Sequence, residues 1–453
     1  MKPFELARFP KLSQRFPAAT QDLLNYLIRE VGDQQIHYVF HFSGRLDERR
    51  MARAVRLLME LEPTLGCRFV TTGGFPFWQR RKDLDALTLC RVVKTNQPEA
   101  DMLAFAAEPI DPKVDPLVSA CIFRAVTDTL HVRINHVVTD ATGARDVCYL
   151  LAALYRRLEQ QPEFFPKPNK GSRSQQQLLK HLGAEALVKA LVSARPSAIT
   201  WGCPYVEGDT EAERRFVLKH FAPERFAAIR DYGKARGATV NDVLLAAFYR
   251  AMAASSAPHA GQAFNVMVPV NLRRFIPEGR TAAICNMTGA VFPSLAYEPG
   301  ESFEGTLLRT RNAMNQFKVE YPGVGTIALF SMSAKTGFPL IEKAARKIRE
   351  NTVKTGKSVG VLSNFGITEA ARLNFGEVAV VDSYALGPIV YPPGMFIAVS
   401  SFKEKLTLSS GFCENATLRD FIEAFLAHMD SELPNPGAPP DPSLRQRITV
   451  NQT

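Results

Sequence analysis

From Leu130 the chain reads LHVRINHVVTDATGARDVCYLLAALYRRL, the stretch that most narrows what it can fold into. Leu130, Val132 and Ile134 alternate with His131, Arg133 and Asn135, which is the period of a strand, and the alternation puts His136 on the apolar face. After a short polar turn, Val147, Leu150, Leu151, Leu154 and Leu158 recur at helical spacing. A strand leading directly into an amphipathic helix predicts a mixed α/β (α+β) lobe with a helix packed on a sheet.

The same theme opens the chain. IHYVFHFSG (36–44) alternates as a strand, and RLDERRMARAVRLLMELEP places Met51, Ala54, Val55, Leu58 and Leu61 on one helical face. Further strands are expected at 67–70, 87–93 and 119–126. PEFFPKPNKGSRSQ (162–175) is rich in Pro, Lys and polar residues and reads as a linker or exposed crossover. A second lobe then begins with a strand at 214–220 and a helix at 224–236, and Thr239 caps the apolar-rich helix that follows. Since 453 residues exceed one ordinary core, the expected division is an N-terminal lobe over 1–175 and a C-terminal lobe over 176–453.

Composition removes several classes. No apolar run approaches the roughly 20 residues of a membrane span, and the charged start MKPFELARFPKLSQRF lacks the apolar segment of a signal peptide. The chain therefore reads as cytoplasmic. Seven scattered cysteines form no CxxC pair, so they read as reduced, mostly buried thiols rather than zinc or redox ligands. Sequons at Asn286, Asn415 and Asn451 would matter only in a secreted protein and read as chance matches. A net charge of +10 is dispersed rather than gathered into a basic arm, which argues against nucleic acid. The excess suits a phosphate-bearing donor or an acidic protein surface through long-range attraction.

Taken alone, a histidine at a strand end four residues before Asp140 has two readings. It is either a desolvated, neutral imidazole able to accept a proton or a hydrogen-bonded core residue. Other short patterns are weaker. GKSVG at 356–360 has the Gly-x-Ser-x-Gly spacing of a nucleophile elbow around Ser358, but an extended sequence follows where a helix is needed. His37 and His41 lie four apart on an alternating segment, where that separation spans about 13 Å and prevents chelation of one ion. GVG at 323–325 lacks the third glycine of a dinucleotide fingerprint, and no redox cofactor is implied.

NHVVTDATG resembles the HHxxxDG signature of the CoA-dependent acyltransferase and condensation-domain superfamily, which includes chloramphenicol acetyltransferase and alcohol acyltransferases. His136 matches the catalytic second histidine, Asn135 replaces the first, Ala141 replaces the usual glycine, and Gly143 follows two residues later. The likeness extends over about 9–433. SGRLDERRMARAVRLLMELEPTLGCRF and DPKVDPLVSACIF resemble the segments upstream of the histidine, while GATVNDVLLAAFYRAM, MVPVNLRRF, NMTGAVF and LSNFG follow downstream in the family's order. NFGEVAVVD, with Phe375 and Gly376, is a faint counterpart of the DFGWG motif of plant-type relatives.

The resemblance implies two chloramphenicol acetyltransferase-like lobes, each a mixed sheet flanked by helices, with a tunnel at their interface. His136 would be the general base, and Asp140 would pair with Arg273 while Gly143 supports the loop. Ser363, Asn364 and Asn135 would serve as oxyanion or tunnel residues. An acyl group would pass from a CoA or acyl carrier protein thioester to a small-molecule alcohol, with no metal or other cofactor. An amide-forming condensation-type reaction is the alternative, and Asn135 and Ala141 keep a catalytically silent carrier-binding relative open. Acyl chain, acceptor and oligomeric state are not readable from the sequence.

Overall fold

The structure, a computed structural model, describes residues 13–72, 74–192, 198–205, 213–317, 321–414 and 419–437. The sequons at Asn415 and Asn451 and the first twelve residues lie outside them. The described residues build two large sheets. The first has the spatial order Val380–Leu386, Gln35–Phe42, Asp128–Asn135, Val118–Arg124, Cys90–Lys94, antiparallel except for the last pair. The second runs Thr288–Val291, Ala263–Asn271, Gly360–Ile367, Met395–Phe402, Lys405–Cys413, Arg214–Phe221, with Ser294–Ala296 paired to the other end of Ala263–Asn271. Only Gly360–Ile367 is parallel to its neighbours in that sheet. A small third sheet joins Arg15–Pro17, Phe77–Arg80 and Cys67–Val70. The fold is thus the mixed α/β arrangement expected from the alternating and helical periods.

Alternation decides what each face of the first sheet touches. Ile36, Tyr38, Phe40, Phe42, Leu130, Val132 and Ile134 point into one core with helices Glu48–Leu61 and Ala141–Gln160. Met51, Ala54, Val55 and Leu58 of the first helix are fully buried there, each large side chain contributing about 1.5–3 kcal/mol. Val39, Cys121 and Phe123, on the opposite face, meet helix Pro98–Ala107 and strand Arg214–Phe221. The polar-looking residues His37, His131 and Arg133 are therefore buried as well. His37 Nδ1 lies 3.0 Å from His131 Nε2, and His41 Nδ1 lies 3.0 Å from Thr129 Oγ1, so the two histidines of the first strand face separate partners.

Helix starts follow local chemistry. Asp47 accepts from Arg50 N at 2.8 Å. Thr239 Oγ1 accepts from Asp242 N at 3.2 Å while Asp242 Oδ2 accepts from Thr239 N at 2.8 Å, a reciprocal capping box. Phe375 packs against Phe40, Phe42 and Tyr155, and Gly376 turns the chain at φ 79°, so this segment is a core turn. All seven cysteines are free, and all but Cys90 are buried. No helix among the described residues is long and apolar enough to cross a membrane.

Two features bind the halves of the chain. Strand Val380–Leu386 completes the first sheet although it comes from the C-terminal half. The irregular crossover at 162–175 is pinned rather than loose. Asn169 N donates to Leu61 O at 2.7 Å and its Nδ2 to Ala282 O at 3.0 Å, while Gln175 Nε2 donates to Asn286 O at 3.1 Å. Arg173 Nη2 reaches the fully buried Asp22 at 2.8 Å and Val138 O at 3.1 Å. Asp22 also accepts from Trp78 Nε1 at 2.8 Å and Asn286 Nδ2 at 3.3 Å. Arg173→Ala leaves that carboxylate without its cation, and the expected loss is about 3–5 kcal/mol, read from the urea midpoint. A loss below about 1 kcal/mol would show that the neutral donors suffice.

Candidate active site

Strand Asp128–Asn135 ends one residue before the histidine, because Asn135 turns its side chain back on the chain. Asn135 Oδ1 accepts from Val137 N at 3.0 Å, and Val138 N donates to Asn135 O at 3.2 Å. His136 therefore lies in the turn rather than on the strand face expected from alternation. Its main-chain N donates to Gln34 O at 2.7 Å. The residue is half-buried, while its buried Nδ1 makes no hydrogen bond of normal geometry among the described residues. Burial holds the imidazole below its ordinary pKa, opposed by the nearby main chain, the Asp140 charge and the Asn286 amide.

The turn runs into Asp140, the N-cap of helix Ala141–Gln160. Its Oδ1 accepts from Gly143 N at 2.9 Å. Its Oδ2 accepts from Arg273 Nη1 at 2.9 Å, Met287 N at 2.6 Å and Thr288 Oγ1 at 2.9 Å. Burial alone would raise this carboxyl, but the Arg273 guanidinium and the other donors outweigh it and hold the group below its ordinary value. Arg273 shows the converse, with the pull of Asp140 exceeding the cost of burial. Arg273 Nη2 donates to Cys285 O at 2.7 Å, and Thr139 Oγ1 donates to the same oxygen at 3.2 Å. The segment Cys285–Thr288 thus clamps the histidine turn, and Asn286 Nδ2 adds a bond to Val137 O at 2.9 Å.

Gly143 is the glycine this turn requires. A Cβ there would overlap Thr139 Oγ1 and press on Cys285 O and Arg273 Nη2 at 3.2 and 3.3 Å. Ala141 begins the helix, its carbonyl accepts from Tyr38 Oη at 2.9 Å, and its side chain packs against the first core.

Ser363 and Asn364 lie on strand Gly360–Ile367, whose register shifts after Asn364. Arg145, on the helix capped by Asp140, donates to Phe365 O and Ile367 O, both at 3.0 Å, and fastens the strand end beside that helix. Ser363 is buried, and Asn364 is exposed with its Oδ1 accepting from Gly366 N at 2.9 Å. Neither hydrogen-bonds to His136 among the described residues. Ser358 precedes this strand, not a helix, so no nucleophile elbow forms.

A pocket of about 300 Å³ opens beside the turn, lined by Gln34, Asn135, Val137, Arg29, Lys113 and Arg214, among others. Sequence reasoning missed Gln34, Asp22, Arg173, Met287 and Thr288 as parts of this site. It read Asn286 as a chance sequon and as the start of the family-like segment NMTGAVF, without seeing that its buried amide would hydrogen-bond within the site.

Compared by sequence, the chain matches no family model and no curated protein. Its backbone is another matter. The trichothecene 15-O-acetyltransferase of Fusarium sporotrichioides superposes with a TM-score of 0.69 at 12% identity, covering 92% of this chain and 94% of that one. The first condensation domain of the calcium-dependent antibiotic synthetase, in complex with a substrate analogue, gives 0.65 at 17% identity, covering 94% and 98%. The epimerization domain of tyrocidine synthetase B gives 0.63 at 16%, covering 93% and 97%. The chain has the condensation-domain fold. Within that fold, the turn that carries His136 is held by both halves of the chain.

Gly143→Ala should cost about 1–3 kcal/mol by forcing the turn open, measured by chemical unfolding, whereas Ala141→Gly should cost less. Asp140 has a depressed folded pKa, so its stabilisation is complete above the ordinary value of 3.8 and is lost as pH falls below it. Melting temperatures taken across that range should drop steeply for the native chain and less steeply for Asp140→Asn.

Proposed function

We propose that the chain is an acyltransferase in which His136 is the general base, moving an acyl group from a CoA or carrier-protein thioester to a small-molecule alcohol. One observation carries the reading: a half-buried histidine, kept neutral by burial, sits on a turn whose every anchor is structural. Neutral imidazole is the form that accepts a proton. The acetyltransferase and condensation-domain neighbours support the class of reaction.

In this scheme the acceptor hydroxyl loses its proton to His136 as its oxygen attacks the thioester carbonyl. The tetrahedral intermediate collapses, the C–S bond breaks, and the thiolate leaves with the proton returned by the imidazolium. No acyl-enzyme or cofactor is required. Ser363 and Asn364 are the oxyanion candidates, because the strand that carries them is tied to the helix following the turn. Asp140 and Arg273 position the turn and take no part in proton transfer, since the carboxylate is occupied by Arg273, Thr288 and two main-chain N–H groups. The pocket beside the turn carries charges of both signs, Arg29, Lys113 and Arg214 against Asp33 and Asp111, so a donor reaching it would meet cations and carboxylates together.

Mass spectrometry of products from an acyl-CoA panel with pooled alcohols and amines tests the proposal, and an amide product would move the reading to the condensation type. His136→Ala should keep the fold and lower turnover by about two to four orders of magnitude. Turnover within a few-fold of the native chain would remove His136 from the chemistry. Because burial lowers the His136 pKa, the acid limb it contributes should lie below the ordinary imidazole value of 6.5.

A further inference from the structure

The carbonyl that receives the His136 main-chain N–H belongs to Gln34, a non-glycine residue held at φ 56°, in the left-handed region. Such a residue keeps that conformation only when its surroundings impose it. Here the neighbouring carboxylate does so. Asp33 Oδ1 accepts from Gln35 N at 3.2 Å and Ile389 N at 3.0 Å, and its Oδ2 accepts from Gln35 Nε2 at 3.1 Å. Asp33 N in turn donates to Ile389 O at 3.0 Å, and Tyr391 N donates to Val31 O at 2.8 Å. The turn is thereby fixed between the strand that pairs with the histidine strand and the segment after Val380–Leu386. On its other side, Gln35 is paired in register with Asn135, the residue before His136. Gly32, Asp33 and Gln34 also line the pocket beside the turn.

We infer that Asp33 is a positioning residue for His136, acting through the Gln34 carbonyl. The inference rests on His136 being the general base.

Burial raises the Asp33 pKa to about 6, against the attraction of Arg214 and the three N–H donors. The groups facing it are Arg214 from strand Arg214–Phe221, Tyr391 and Cys413 from the C-terminal half, and Arg29, Asp111 and Lys113 around the pocket. A proton on Oδ2 would meet the Gln35 Nε2 donor head on. Gln35 Oε1 is buried without a partner, so turning that amide over offers the proton an acceptor while giving up the Nε2 bond to Glu108 O at 3.0 Å. The ionised and neutral forms of Asp33 therefore favour different settings of the residue that follows Gln34. The sign is definite: a raised carboxyl pKa means that ionisation costs folding stability as pH rises from 3.8 toward about 6, while the ionised form is the one that accepts all three donors and sets the histidine turn.

The experiment joins NMR to kinetics. In His136→Ala, which removes the imidazole but keeps the main-chain N–H, the amide at position 136 should titrate with the Asp33 carboxyl carbon, near pH 6. Asp33→Asn in that background should abolish the response. In the otherwise native chain, Asp33→Asn should lower kcat on the order of tenfold with KM nearly unchanged, and reduce the acid limb of the rate profile from about two protons to about one. An amide at position 136 that ignores the Asp33 titration would overturn the inference. So would an Asp33→Asn enzyme with native kcat and native acid limb. Should the native chain transfer no acyl group, the functional reading falls while the NMR titration still decides the link between Asp33 and position 136. Should Asp33→Asn fail to fold, the titration in His136→Ala alone decides whether that link exists.

Discussion

Four donors converge on the Asp140 carboxylate, and three of them, Arg273, Met287 N and Thr288 Oγ1, come from more than 130 residues further along the chain. A buried carboxylate survives only when its lost hydration is replaced in kind. This one is replaced by a guanidinium, a hydroxyl and two main-chain N–H groups, one of which starts the helix after the histidine turn. The helix cannot begin, the turn cannot close and the two halves cannot settle independently, because the same oxygen atoms serve all three. Asp22 repeats the arrangement on the other side of the turn with Arg173, Trp78 and Asn286. Between these two carboxylates the turn has little room to choose another conformation.

Much of this architecture was legible because it depends on short-range periodicity. The alternation of 36–42 and 130–134, the helical stripes of 51–61 and 147–158, and the Thr239 cap each lie within one or two turns of chain, and the structure shows them nearly residue for residue. What the sequence hid was long-range. Nothing local announces that Val380–Leu386 completes a sheet begun at Gln35, since an edge strand looks the same whichever sheet it joins. The segment 162–175 read as a linker or exposed crossover for a related reason. Its Pro, Lys and polar residues describe irregular backbone correctly, yet hydrogen bonds such as Arg173 to Asp22 depend on partners about 150 residues away.

The site divides along the same line. His136, Asp140, Arg273 and Gly143 were identified through a resemblance, and the structure brings Asp140, Arg273 and Gly143 into direct contact. Although Ala141 replaces the expected glycine, the close approach occurs at Gly143, where a Cβ would meet Thr139. A motif compares positions, but the steric demand belongs to whichever backbone atom passes nearest. Gln34 shows the limit of such reasoning: its role is played by a carbonyl oxygen, and a carbonyl leaves no mark on residue identity except the unusual φ that sets it.

These constraints explain how the backbone can match its neighbours over more than 90% of the chain at identities of only 12–17%. Most core positions ask for an apolar side chain at the right period, a demand that many sequences satisfy. The positions that ask for one chemical group are few and cluster around the turn. Two buried carboxylates, Asp22 and Asp140, brace the turn, and its position just past the strand also bears on where the histidine lies. On the strand its ring would be packed into the apolar core with Leu130, Val132 and Ile134. One residue beyond, the main chain is still fixed by Gln34 and Asn135, but the residue is only half-buried. The general base proposed for His136 would need a rigid main chain for aim and an accessible ring, and the first residue after a buried strand supplies the rigid main chain.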